Sequence, residues 1–167
     1  MSIVTKSDFT GEYLIAQDQY TNIDSYIATY EKKYLTMLLG ADLYNLFIAD
    51  LTPTSPQVPQ TTRFLDVFNP FDKDECNSLI VSQGMKQMLI QFIYFHVLRD
   101  NLNFKSTTGT VRMKNENSSE SMYNGYNLVE SYNQGVCNAW SIQWFINDDI
   151  TDYSEENMQH FELMSGI

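Results

Sequence analysis

Histidines, cysteines and clustered carboxylates are the side chains of this sequence with the widest range of chemistry. His96 lies between Phe95 and Val97 in an apolar stretch, and no HxxxH, HxxE or Cys/His cluster is present to complete a metal site. We therefore interpret His96 as a core or interface histidine with a satisfied hydrogen bond. His160 lies in the polar C-terminal region, where we expect it to be solvated.

The acidic residues Asp148, Asp149 and Asp152 do not match a calcium-binding loop. An EF-hand needs carboxylates at alternating positions with a glycine and a distal glutamate, and this spacing is absent. The sequence also has no GxxxxGKS/T, GxGxxG or GxSxG motif, so it indicates neither a phosphate-binding loop nor a nucleophile elbow. We predict a protein that is not an enzyme, with no catalytic, cofactor-binding or metal-ligating residues.

Cys76 and Cys137 fit no CxxC pattern. They could form one disulfide, but two thiols in a reducing cytosol are the interpretation that we favour. The most apolar stretch, residues 88–98, is shorter than the roughly 20 residues of a membrane span, and the N-terminus has no apolar core of signal-peptide length. We expect no membrane partner.

The charged residues are unevenly distributed. The net charge is −11, from 10 basic and 21 acidic residues. Tight binding to DNA or RNA needs clustered Lys and Arg, so we expect none, although an acidic surface could line a passage through which DNA slides. Four of the 10 basic residues fall within residues 99–114, whereas residues 115–167 contain nine acidic residues and no Lys or Arg. The four are Arg99, Lys105, Arg112 and Lys114.

This division of charge has two interpretations. The basic and acidic faces neutralise each other within one monomer, or the basic segment of one copy binds the acidic side of the next copy. Contacts of the second kind close into rings when the rotation between copies permits it.

The first third of the chain predicts an arm followed by two helices. Residues 1–20 lack a helical period and predict an N-terminal arm, with a short strand or extended backbone around residues 13–16. The next segment has apolar residues at spacings of three and four, with Thr21 as its cap and Gly40 as its stop. A shorter helix is predicted over residues 41–50.

The middle of the chain predicts a long buried helix. Residues 51–63 are rich in proline and predict a loop, and residues 64–71 predict a helical turn followed by a bend. The central helix is predicted over residues 77–103. It is apolar on nearly all sides, as in a helix with several neighbours, and it includes Gly84.

The last third predicts a projecting segment and a second long helix. Residues 104–118 predict a hairpin or a long loop, and the helix begins near Ser118 or Ser119. Beyond Asn147 the sequence becomes acidic. The apolar stripe of this helix consists of Met122, Tyr126, Val129, Val136 and Trp140.

Together these segments predict a single mainly α domain over residues 1–167. It is a small helical bundle whose two long helices are joined by a protruding loop or β-hairpin, with a helical core over residues 21–147. An extended N-terminal arm precedes the core, and an acidic C-terminal tail, residues 148–167, follows it.

The order of the segments resembles the head–tail connector proteins of tailed bacteriophages, also called neck adaptor or head-completion proteins. The resemblance is carried by the first helix with its stop, IDSYIATYEKKYLTMLLGADLYNLF, by the end of the central helix, FIYFHVLRDN, and by the loop FKSTTGTVRMKNENSSES. It covers about residues 8–147 and is greatest to the versions from phages of Bacteroidetes-type hosts.

The resemblance implies a dodecameric ring in the neck of the virion, assembled in the host cytoplasm. Its partners would be other copies of itself, the portal protein, and the tail or further neck proteins, with DNA passing through. In such rings the loop between the long helices reaches a neighbouring subunit, and a terminal segment docks on the portal. By position, the docking segment is the acidic tail or the N-terminal arm. The inter-subunit contact falls on Phe104, Lys105, Val111, Arg112 and Lys114, and the docking residues of the tail are Asp148, Asp149, Asp152, Tyr153 and Phe161.

The acidic composition also fits a different class of function. The protein would then be a small acidic protein-binding or regulatory module that occupies a basic partner. Such a module would be monomeric or dimeric in solution, whereas a connector subunit would assemble further.

Overall fold

The structure, a computed structural model, describes residues 2–15, 22–75, 78–102, 104–106, 109–111 and 122–148, with side chains for all of these except residues 75, 78 and 101–126. Its helices are α1 (Ile23–Asp50), α2 (Thr62–Phe68), α3 (Met85–Leu102) and α4 (Met122–Asp148). Two antiparallel hairpins complete it, β1 (Phe71–Glu75) with β2 (Ser78–Ser82) and β3 (Phe104–Ser106) with β4 (Gly109–Val111). These elements confirm the predicted mainly α fold with a hairpin between the last two long helices.

Helix α1 is two helical segments joined at Gly40, as the sequence predicts. Gly40 has φ 72° and ψ 174°, a conformation that only glycine adopts without strain, and it is buried. The N-cap is Asn22, whose carbonyl accepts a hydrogen bond from Ser25 Oγ at 2.8 Å. The predicted cap, Thr21, lies outside the described residues.

The N-terminal segment is packed into the core. Residues 13–15, the described part of the segment for which a strand or an extended arm is predicted, contain no strand. Gly11–Tyr13 form a 3-10 turn, and Ile3 and Phe9 are fully buried. The carboxylate of Glu31 on α1 accepts the backbone N–H groups of residues 3 and 4, each at 3.2 Å. The buried side chains and these charge-assisted hydrogen bonds explain why this segment lies against α1 and does not extend away from it.

The predicted start of the central helix at residue 77 is also wrong. Strand β2 pairs with β1 in the register Phe71↔Ser82, and α3 begins only at Met85. Exposure in β2 alternates with period two, as in a strand with one covered face. Gly84 separates the strand from the helix with φ 85°, and a Cβ there would meet the carbonyl oxygen of Phe68 at 2.5 Å.

Helix α3 forms the centre of the core, as its apolar composition predicts. It packs between α1 and α4, and it is buried on most of its circumference. Its fully buried side chains include Met85, Met88, Leu89, Phe92 and Ile93.

The hairpin after α3 agrees with the predicted projecting segment. Its register is Phe104↔Val111, Lys105↔Thr110 and Ser106↔Gly109. The described part of α4 begins at Met122, whereas the predicted start near Ser118 or Ser119 lies outside the described residues.

Candidate interaction surface

His96 is buried between α1 and α3 in a stack of aromatic rings. Its ring lies parallel to that of Tyr30, with 3.6 Å between centroids, and its Nε2 is 2.8 Å from the hydroxyl of Tyr34. Its Nδ1 has no hydrogen-bond partner among the described residues. Burial, together with the positive charges of Arg99 and Lys33, lowers the pKa of His96 to about 4. The imidazole is therefore neutral at pH 7 and acts as a packing group.

A cluster of amide side chains lies between α3 and α4. The fully buried Gln91 donates from Nε2 to Gln83 Oε1 at 2.7 Å and accepts on Oε1 from Asn138 Nδ2 at 2.7 Å. Next to it, the hydroxyl of Tyr13 donates to Gln134 Oε1 at 2.6 Å. These neutral groups satisfy one another, so the cluster fixes how the two helices and the N-terminal segment pack.

A groove of about 740 Å³ lies between the N-terminal segment and the two halves of α1. Lys6 at its rim pairs with Asp24 at 2.7 Å, and the carboxylate of Glu31 is occupied by backbone amides. These charged groups are engaged in holding the N-terminal segment. In the part of the chain that the structure describes, no group of three or more His, Cys, Asp or Glu is placed to hold a metal ion.

Two residues of the predicted apolar stripe of α4 face outward. Trp140 is 64% exposed and Val129 is 55% exposed, although the sequence places both on the stripe that a bundle helix normally buries. Val136 of the same stripe is half-buried and packs against the core. The side chains of Met122 and Tyr126 lie outside the described residues.

The opposite face of α4, which includes several small and polar residues, packs against α3. Gly135 lies so close to α3 that a Cβ there would meet the ring of Phe92 at 3.0 Å. Ser131 Oγ donates to the backbone carbonyl of Gln91 at 2.8 Å, and Ala139 is fully buried. The small residues allow the close approach of the two helices. Ile142 and Tyr132 of α4 also pack into the core, whereas Val129 and Trp140 are left on the surface.

The exposed face of α4 also carries a shallow depression of about 280 Å³. Val129 and Cys137 line it together with Glu130 and two amide side chains. Cys137 is a free, exposed thiol. The depression and the exposed stripe form one candidate surface for contact with another protein, which we call the α4 face. Its described members are Val129, Glu130, Asn133, Val136, Cys137 and Trp140.

The residues predicted for an inter-subunit contact lie on the β3–β4 hairpin or just after it. Phe104 and Val111 are directly opposite each other, and Lys105 lies in β3. Arg112 and Lys114 lie outside the described residues. The structure therefore brings three of the five predicted residues onto one hairpin.

Asp148 is the one predicted tail residue that the structure describes, and it belongs to α4. Its Oδ2 lies 2.6 Å from Nζ of Lys73, so it links the end of α4 to strand β1. The other predicted residues of the tail and two of the reactive side chains lie outside the described residues: Asp149, Asp152, Tyr153, Phe161, Cys76 and His160.

Sequence reasoning found the stripe of α4 but not its exposure. The exposure of this stripe could have been predicted from the small residues on the other face of the same helix. Ser131, Gly135, Asn138 and Ala139 also recur at spacings of three and four. A helix with a small-residue face can bury that face against a neighbour, and its apolar stripe is then free.

Comparison with known proteins found no match. No family model, curated protein or solved structure matches this chain. The resemblance to connector proteins therefore rests on the sequence segments alone. None of the helices in the described residues is long and apolar enough to cross a membrane.

Proposed function

We propose that this protein is a structural subunit of a bacteriophage head–tail connector, a ring that joins the portal to the tail and forms part of the DNA passage. The observation that carries the proposal is the orientation of α4. Its small residues face the core, while Trp140 and Val129 face outward. Exposed aromatic and apolar side chains on one helix face are typical of surfaces that become buried on assembly.

A second copy of the chain is the partner whose chemistry fits the α4 face best. The face combines apolar side chains with Glu130, and residues 115–167 contain no basic residue. The β3–β4 hairpin and the residues after it combine apolar and basic types, including Phe104 and Lys105. A contact between the hairpin of one copy and the α4 face of the next is heterologous, so it repeats around a ring.

The overall charge agrees with a DNA passage. A net charge of −11 repels phosphates and gives a passing duplex few basic side chains to bind. We expect the acidic C-terminal third to contribute most of this repulsion, because it has nine acidic residues and no Lys or Arg.

Sedimentation velocity at increasing protein concentration tests the proposal. We expect the wild-type protein to assemble beyond a dimer and Trp140→Glu to shift the distribution to monomers. The reason is that burying one large apolar side chain contributes about 1.5–3 kcal/mol, and a buried unpaired carboxylate opposes association. Asn45→Glu, which adds the same charge at an exposed position of α1, should assemble as the wild type does.

Two results would overturn the connector proposal. One is a wild-type protein that stays monomeric at every concentration, and the other is Trp140→Glu assembling normally. A monomer that binds a basic protein in solution would instead support the regulatory-module interpretation.

A further inference from the structure

The β1–β2 hairpin has one outward face that combines carboxylates with apolar side chains. Asp72 lies opposite Val81, and Asp74 lies opposite Leu79. All four side chains are exposed, with 61% of Leu79 and 53% of Val81 accessible. Because side chains in a strand alternate between its two faces, one face of the hairpin presents two carboxylates from β1 and two apolar side chains from β2.

The hydrogen bonds of β2 show which backbone groups of β1 point away from β2. The carbonyl of Val81 accepts from Ser141 Oγ at 2.9 Å, and the N–H of Gln83 donates to Asn138 Oδ1 at 2.9 Å. Residues 79, 81 and 83 thus direct their backbone groups toward α4 and away from β1. In an antiparallel pair, the residues opposite them direct theirs away from β2. Asp72 and Asp74 therefore present N–H and C=O groups along the outer edge of β1.

The inward face of the hairpin is held firmly against α4. Lys73 Nζ pairs with Asp148 and lies 5.2 Å from the ring centroid of Trp144, and Phe71 packs on Phe145 with 4.8 Å between centroids. No hydrogen bond among the described residues reaches the outer backbone groups of Asp72 and Asp74. The edge is thus preorganised, and it is open in the described part of the chain.

We propose that the outer edge of β1 adds one extended segment of a partner protein with Lys or Arg at every second position. Successive hydrogen bonds to Asp72 and Asp74 would align such a segment as a third strand. Its basic side chains would then lie beside the two carboxylates, since side chains at opposite positions of paired strands lie on the same face of the sheet.

Charge decides between this partner and other strands. Charged side chains on an edge strand prevent indiscriminate pairing, and the two aspartates repel acidic segments. The protein's own acidic residues 149–167 are disfavoured by like-charge repulsion. The site does not depend on the connector role, because it uses a different surface from the α4 face.

The test uses the protein and a synthetic heptapeptide of alternating Lys and Val, amidated at its C-terminus and carrying a fluorophore at its N-terminus. Fluorescence anisotropy should show binding, and Asp72→Asn with Asp74→Asn should weaken it by about tenfold or more. Asp42→Asn with Asp66→Asn removes the same charge at two exposed positions elsewhere and should leave binding unchanged. Circular dichroism would verify that both double variants fold.

A second measurement separates strand addition from simple charge attraction. A peptide of the same charge whose lysines are methylated on the backbone nitrogen cannot donate the edge hydrogen bonds and should not bind. Amide exchange at Asp72 and Asp74 should slow when the unmodified peptide is added. Equal binding of the N-methylated peptide, or equal loss in the two double variants, would overturn the proposal. Self-association that depends on Asp72 and Asp74 without peptide binding would also overturn it, in favour of a second copy.

Discussion

His96 couples the stability of the fold to pH. Its imidazole occupies a buried position against Tyr30 and Tyr34, and Arg99 and Lys33 add positive potential nearby. The neutral form fits this site, and the charged form does not. The pKa in the folded protein is about 4, below the value of 6.5 for an exposed histidine.

The free energy of unfolding should therefore fall as the pH decreases from about 6.5 to about 4. In this window the unfolded chain takes up a proton at His96 and the folded chain does not, so the unfolded state is favoured. Above the window both states are neutral, and the full stability is present. We expect a contribution on the order of 1–3 kcal/mol, and urea unfolding at a series of pH values measures it.

His96→Gln should flatten this pH dependence, because glutamine does not titrate. His160→Gln is the matched control, and it should retain the slope of the wild type. An unchanged slope in His96→Gln would show that other groups cause the acid sensitivity.

At the scale of elements, two glycines set where helices begin and bend. Gly84 allows β2 to turn into α3 beside the carbonyl of Phe68, and Gly40 joins the two halves of α1. Both have positive φ. A side chain at residue 84 would also meet backbone atoms, whereas residue 40 has open space within 4 Å of the Cβ position.

Gly84→Ala should consequently destabilise the protein more than Gly40→Ala. We expect about 1–3 kcal/mol for Gly40→Ala from backbone strain alone, and a larger loss for Gly84→Ala because the contact of 2.5 Å must also be relieved. Thermal or urea unfolding of the two variants compares them. Equal losses would mean that the chain relaxes around residue 84 at little cost.

The helices and the Gly40 break could be predicted because they depend on local spacing and on one residue type. The start of α3 could not, since Leu79, Ile80 and Val81 fit both a buried helix and a strand, and pairing with β1 decides between them. The acidic strand β1 gives no hydrophobic signal of its own. Only the tertiary contacts of Lys73 and Phe71 with α4 explain its position.

The candidate surface was only partly visible in the sequence for a similar reason. The spacing of Val129, Val136 and Trp140 predicts one face of a helix but not its direction. The close packing of Gly135 against Phe92 determines that direction. The amide cluster around Gln91 could not be predicted either, because its hydrogen-bond partners are separated by up to 121 positions in the chain.

At the scale of the whole molecule, the exposed apolar side chains of α4 and the basic residues of the sequence lie in separate regions. The α4 face is apolar and acidic, and the hairpin between α3 and α4 belongs to the basic segment of the sequence. If these regions meet between copies, association should weaken with rising salt, because part of the attraction is electrostatic. The apolar part should remain, so salt alone should not abolish assembly.

Disulfide trapping between copies tests this head-to-tail contact most directly. In a Cys76→Ser background, Lys105→Cys places one new thiol on the hairpin, and the natural Cys137 provides the other on the α4 face. Mild oxidation should give a ladder of dimers, trimers and larger species on a non-reducing gel, and removing Cys137 should abolish everything beyond the dimer. A gel that shows only monomers, or only a monomer of increased mobility from an internal bridge, would contradict the account.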